Sequence, residues 1–225
     1  MSTSGPAFVF DLDGTLVDSV YQHVLAWRQA LEEVGAGLAV WRIHRAIGMS
    51  GGLLAQALAR ETGKNITGEE ALRLQKRHAE VFKEYAPQVR PLPGARELLA
   101  HLRQENVPFA IATSGRSVSA APSLELLGAA DAVLITRDQV AHAKPDPDLF
   151  VAAAARLGVS IERAVVVGDS VWDLLAAQRA RALGVGLLSG GYGQDELERA
   201  GAYRVYPDPD GLLRHLDEVG VRSGL

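Results

Sequence analysis

The sequence predicts an α/β protein, a doubly wound parallel sheet with a small α-helical domain inserted after the first strand. Two observations carry this. Short apolar runs rich in β-branched residues, "AFVF", "VPFAIAT", "DAVLIT", "RAVVVGD", "GVGLLS" and "YRVYP", alternate with amphipathic helical stretches. Near-continuous apolar strands of that kind belong to parallel sheets covered on both faces. The alternation is also broken once: after the first strand no further strand pattern appears until Val107.

Taken in order, the first strand is "AFVF", ending in "DLDGT". From about Val17 to Arg90 the chain reads as helices. "YQHVLAWRQALEEVG" spaces Val24, Trp27, Ala30, Leu31 and Val34 along one face, and "GGLLAQALARETG" follows. "TGEEALRLQKRHAEVFKEY" opens with Thr67 as N-cap and Glu70 completing a capping box. The Pro-rich "PQVRPLPGA" leads back to strand–helix alternation, which runs to the end of the chain. The expected division is residues 1–16 and 91–225 as the α/β core and 17–90 as a helical cap, an insert of roughly 70 residues. In "AKPDPDLF", Asp146 is expected to cap a helix whose first residue is Pro147.

Composition bounds the function. With 225 residues, 48% of them hydrophobic, the chain can bury a substantial core. A net charge of -4 without a basic run lacks the electrostatic footprint of a nucleic-acid binder. The absence of cysteine excludes disulfides, thiolate catalysis and Cys-based zinc sites. "MSTSGPAFVF" does not read as a leader, and no apolar run approaches the roughly 18 residues of a membrane span. A cytoplasmic protein is expected, with no nucleic-acid or membrane partner and a monomer favoured.

In a parallel sheet, ligand sites gather beyond the carboxyl ends of the strands. Asp11 and Asp13 follow the first strand; Thr113, Ser114 and Gly115 follow "AIA"; Lys144 lies in the loop after "VLIT"; Asp169, Ser170 and Asp173 follow "AVVVG". Up to four carboxylates against one ammonium would raise one another's pKa, so a further cation is required. Oxygen donors without His or Cys select a hard ion, and Mg2+ suits a few carboxylates, waters and a substrate phosphate. The six histidines show no paired metal spacing, and His44, His78, His101, His142 and His215 are expected to be structural or exposed.

"DLDGTLVDS", Thr113, "AKPDPDLF" and "GDSVWD" resemble the four motifs of the haloacid-dehalogenase-like hydrolase superfamily, in order and on matching strand ends. The helical insert is similar to the cap of its helical-cap subclass, in the phosphoglycolate phosphatase and β-phosphoglucomutase-like group. The resemblance implies a Rossmann-like core and Mg2+-dependent hydrolysis of a small phosphorylated metabolite through an aspartyl phosphate. Asp11 would be the nucleophile and a metal ligand. Asp13 would be the general acid and base, with its backbone carbonyl on the metal. Thr113 and the Ser114 N–H, beside Gly115, would hold the phosphoryl oxygens, Lys144 would neutralise them, and Asp169 and Asp173 would complete the metal site.

In the cap, His23 is a candidate substrate contact on one face with Trp27, whose default role is packing. Gly48 and Ser50, in the loop "IGMSGG", are expected to dip toward the site, and Arg42 and Arg45 could meet a second anionic group. The main alternative is a phosphomutase of the β-phosphoglucomutase type; against it, "GMSGG" lacks the Arg expected for a distal phosphate. Dehalogenation is disfavoured by Asp13, which such chemistry does not need. A catalytically dead binding module would have no reason to retain Asp11, Asp13, Lys144 and Asp169 together.

Overall fold

The computed structural model describes residues 6–221; the leader reading falls largely on residues 1–5, outside them. Six parallel strands form one sheet: β1 (Ala7–Phe10), β4 (Phe109–Thr113), β5 (Val133–Thr136), β6 (Ala164–Gly168), β7 (Leu183–Leu187) and β8 (Ala202–Tyr206), in the order β5-β4-β1-β6-β7-β8. The first strand is therefore central, paired with β4 on one side and β6 on the other. Its four residues are all buried, because successive side chains point to opposite faces and both faces are covered. Phe8 and Phe10 join Ile111, Val165, Val167, Val185 and Leu187 on one side. Val9 joins Ala110, Ala112, Ile135 and Val166 on the other.

Helices α5 (Ala95–Gln104), α6 (Ser117–Leu126) and α10 (Pro209–Leu213) supply residues to the first layer, and α7 (Asp148–Arg156) and α8 (Val171–Ala180) to the second. Helix α9 (Gln194–Arg199) packs on β7 and β8. Among the described residues no helix is long and apolar enough to cross a membrane.

Between β1 and α5 lie four helices: α1 (Val20–Glu33), α2 (Val40–His44), α3 (Gly51–Glu61) and α4 (Gly68–Tyr85). They share an apolar cluster of their own that includes Val24, Trp27, Leu31, Ile43, Leu54, Leu58 and Leu74. The expected capping box opens α4: Thr67 Oγ1 accepts from the Glu70 N–H and a Glu70 carboxylate oxygen from the Thr67 N–H.

Two expectations are corrected. The stretch from Val17 to Arg90 is not free of strand, since β2 (Val17–Asp18) and β3 (Arg90–Pro91) pair antiparallel where the chain leaves and re-enters the sheet domain. A two-residue ladder is too short to show a period of two. Asp146 does not cap α7: the helix starts at Asp148, with Pro147 in the capping position and no side-chain cap bond. The Asp146 carboxylate turns instead toward Arg179 Nη1, 3.5 Å away.

Candidate active site

The Asp11 N–H continues the sheet ladder by donating to Val167 O at 2.9 Å, so its backbone is fixed at the mouth of the central strand. Its side chain is buried and contacts Lys144 Nζ. Lys144, fully buried, also lies 2.8 Å from Asp173 Oδ1. Asp173 is oriented by the start of α8, where its Oδ2 accepts from Ser170 Oγ at 2.5 Å and from the Ser170 N–H at 3.1 Å. Asp169 accepts from Thr15 Oγ1 at 2.8 Å. Carboxylate oxygens of Asp11, Asp169 and Asp173 all fall within 4.8 Å of one another.

Backbone shape makes this cluster possible. A Cβ on Gly190 would stand 1.8 Å from Asp169 Oδ2, and one on Gly14, whose φ is +87°, would stand 2.4 Å from the same atom. Gly168 likewise leaves room for Asp173.

Electrostatics follow from burial. Desolvation pushes Asp11 up to about 7, with Lys144 opposing and the Asp173 and Asp13 carboxylates adding to the rise. Desolvation, then Asp173 and Asp11, raise Asp169 well above the ordinary carboxylate range. Lys144 goes up although desolvation opposes it, because Asp11 and Asp173 both favour its charged form. Three buried carboxylates around one ammonium leave negative charge uncompensated, and the donors are oxygens only. Such a set fits a hard divalent cation.

The Asp13 carboxylate stands apart from the other three. It accepts from Ser19 Oγ at 2.6 Å, and His23 Nε2 lies 3.3 Å away. Desolvation would raise it, but His23 and the Ser19 hydrogen bond outweigh that and hold it below the ordinary value. Thr113 is buried and its Oγ1 accepts from the Gly115 N–H at 2.9 Å.

The cap loop reaches the strand ends. Ser114 Oγ donates to Gly48 O at 3.1 Å, and the Ser50 N–H to Lys144 O at 3.1 Å. Gly48, at φ +96°, lies so close that a Cβ would come within 2.6 Å of Ser170 Oγ. The Arg45 carbonyl accepts from Tyr192 Oη at 2.8 Å and from Trp172 Nε1 at 3.1 Å.

A sequence profile of haloacid dehalogenase-like hydrolases matches residues 6–181. The chain belongs to that family. It is 34% identical over 212 residues to a phosphoglycolate phosphatase of Rhodospirillum rubrum, covering 90% of this chain and 87% of the relative. It is also 34% identical over 181 residues to hexitol phosphatase A of Escherichia coli, covering 77% and 78%. A crystal structure of a hydrolase from Pseudomonas syringae superposes with a TM-score of 0.93 at 54% identity, over 96% of this chain and 100% of that one.

For this member of the haloacid dehalogenase-like hydrolases, the structure brings Asp11, Lys144, Asp169 and Asp173 into one buried cluster. It places Asp13 and His23 beside it, and Gly48, Ser50 and Ser114 at the contact between cap and core. Arg42 and Arg45 are engaged elsewhere, Arg42 with Glu61 at 2.9 Å and Arg45 with Glu196. Sequence reading gave no site role to Thr15, Ser19, Ser170, Tyr192 or His78, which the structure sets beside the candidate residues. Only Ser19 and Ser170 carried a local signal, each a hydroxyl just before a helix.

Proposed function

We propose that the protein is a Mg2+-dependent phosphatase of small phosphate monoesters, working through a phosphoryl group carried on Asp11. The observation that supports it most is the Asp11–Lys144–Asp173 contact at the mouth of the central strand, with Asp169 alongside and a fourth, separately held carboxylate at Asp13. Asp11, Asp169 and the Asp13 backbone carbonyl would hold the ion, with Asp173 close by. Bound there, Mg2+ would neutralise phosphoryl oxygens and permit carboxylates to be ionised together.

Thr113, the Ser114 N–H and Lys144 would take the phosphoryl oxygens, donors aimed where charge develops. The Asp11 carboxylate attacks phosphorus and the ester P–O bond breaks. Asp13, ionised in the free protein, takes up a proton when the anionic substrate binds beside it and gives that proton to the departing alkoxide. Asp13, now ionised, takes a proton from water, which attacks the acyl phosphate, releases phosphate and restores Asp11. Proton transfer of this kind contributes about 10²- to 10⁴-fold.

The activities for which these two relatives are named make phosphoglycolate and hexitol phosphates the first substrates to assay. Engagement of Arg42 and Arg45 by Glu61 and Glu196 favours hydrolysis over a mutase, which must hold a second phosphate. A panel of phosphorylated metabolites and p-nitrophenyl phosphate, with Mg2+ and with EDTA, tests the reading. Release of phosphate that requires Mg2+ and vanishes in Asp11→Asn is expected; undiminished release by Asp11→Asn overturns it.

A further inference from the structure

Among the groups that this mechanism leaves unused, His78 has the most informative surroundings. Its Nε2 lies 3.1 Å from His23 Nδ1, and the other nitrogen of His23 faces Asp13 Oδ1 at 3.3 Å. The rings are held from the sides. His78 stacks on Trp27 with centroids 4.3 Å apart, and His23 lies parallel to Phe82 at 3.9 Å.

A hydrogen bond between two imidazole nitrogens holds one proton, so one ring donates and the other accepts. Were a neutral His23 the donor through Nδ1, its Nε2 lone pair would face the Asp13 carboxylate. That arrangement sets acceptor against acceptor. A neutral His23 therefore accepts at Nδ1 from His78 Nε2–H and carries its own proton on Nε2, pointing at the carboxylate, whereas a doubly protonated His23 would reverse the bond to His78. Desolvation by burial keeps His78 well below its ordinary value, so its ring is neutral and carries a single N–H.

We propose that His78 is a positioning residue for the acid–base carboxylate: it donates Nε2–H to His23 Nδ1, fixes His23 in its Nε2–H tautomer, and through it orients Asp13. The catalytic part of this rests on Asp13 being the proton shuttle; the tautomer does not. His78 needs no contact with the substrate; of the chain His78–His23–Asp13, Asp13 alone meets the ester oxygen. Loss of the donor lets His23 take the other tautomer, so the effect falls on kcat and leaves KM unchanged.

The test uses the full chain in three forms. His78→Phe keeps a ring to stack on Trp27 but has no donor; His78→Gln places an amide N–H where the imidazole Nε2–H stood. A fall in kcat of about tenfold for His78→Phe is expected, the cost of one orienting hydrogen bond, with KM unchanged and most of kcat restored in His78→Gln. Imidazole nitrogen NMR should show His23 as the Nε2–H tautomer in the wild-type protein and as a mixture in His78→Phe. A wild-type kcat in His78→Phe, or equal losses in both variants, overturns the proposal. So does a wild-type His23 that carries a proton on Nδ1, alone or together with one on Nε2, whatever the enzyme hydrolyses. A wild-type protein that releases no phosphate from any substrate overturns the phosphatase reading, and with it the acid–base role, while the NMR result still decides the tautomer.

Discussion

Lys144 Nζ lies 2.8 Å from Asp173 Oδ1, joining the loop after β5 to the first turn of α8 through two side chains with essentially no exposure. The same ammonium contacts Asp11, so one cation is shared by two carboxylates of different elements. Shared in this way, it holds the nucleophile candidate at the carboxyl end of the central strand.

Replacing Lys144 by Met keeps most of the volume and removes the charge, leaving Asp11 and Asp173 buried without a partner. Breaking a buried pair from one side costs about 3–5 kcal/mol. Lys144→Met is therefore expected to lower the urea midpoint sharply and to abolish phosphate release. The double variant Lys144→Met/Asp173→Asn should recover part of the stability but none of the activity. Equal stability of Lys144→Met and wild type would show that the ammonium does not compensate these carboxylates.

How much of this could be read in the sequence depends on how local each signal is. The alternation of strands and helices was visible because β1, β4, β5, β6 and β7 are apolar runs, and Asp11, Asp169 and Lys144 could be singled out because they directly follow such a run or lie in the loop after it. The β2–β3 pair was invisible at two residues a strand. Thr15 reads as a turn residue until the fold sets it against Asp169, 154 positions away. His78 looks like any histidine on a charged helix, and only the crossing of α1 and α4 brings it to His23. Arg45 was read as a possible anion contact; its partner Glu196 is 151 positions distant.

Gly190 offers a cleaner probe of the Asp169 position than changing Asp169 itself. A methyl group there would overlap Asp169 Oδ2, and the carboxylate must turn away. Gly190→Ala is expected to raise the Mg2+ concentration needed for half-maximal activity by about tenfold or more, the usual effect of disturbing a ligand's support. Gly37→Ala, where a Cβ meets nothing within 4 Å, is the control and should titrate as wild type. An unchanged Mg2+ requirement in Gly190→Ala would count against Asp169 as a metal ligand.

The contact between cap and core mixes a charged pair with neutral hydrogen bonds, and their salt dependence should separate them. Arg45 and Glu196 are 39% and 41% exposed, so their coupling in a double-mutant cycle with Arg45→Met and Glu196→Gln should stay below about 1 kcal/mol and shrink with added salt. Tyr192 is buried, and its hydroxyl donates to the Arg45 carbonyl. Tyr192→Phe should cost about 1 kcal/mol of unfolding free energy, independent of salt. A large, salt-resistant Arg45–Glu196 coupling would reverse this ranking.

His78 also sets a direction for stability against pH. Desolvation, then His23, hold it below 6.5 in the folded protein, with Asp13 opposing. Between its folded value and the ordinary 6.5 the unfolded chain binds the extra proton, so stability is complete above 6.5 and is lost as pH falls below it. One such group contributes a slope of at most about 1.4 kcal/mol per pH unit. His78→Phe cannot take up that proton. Unfolding free energies measured in urea from about pH 7.5 down to about pH 5 should therefore fall more steeply for wild type than for His78→Phe, whose carboxylates titrate as before. Parallel curves for the two proteins would mean that His78 charges as readily in the fold as in the open chain.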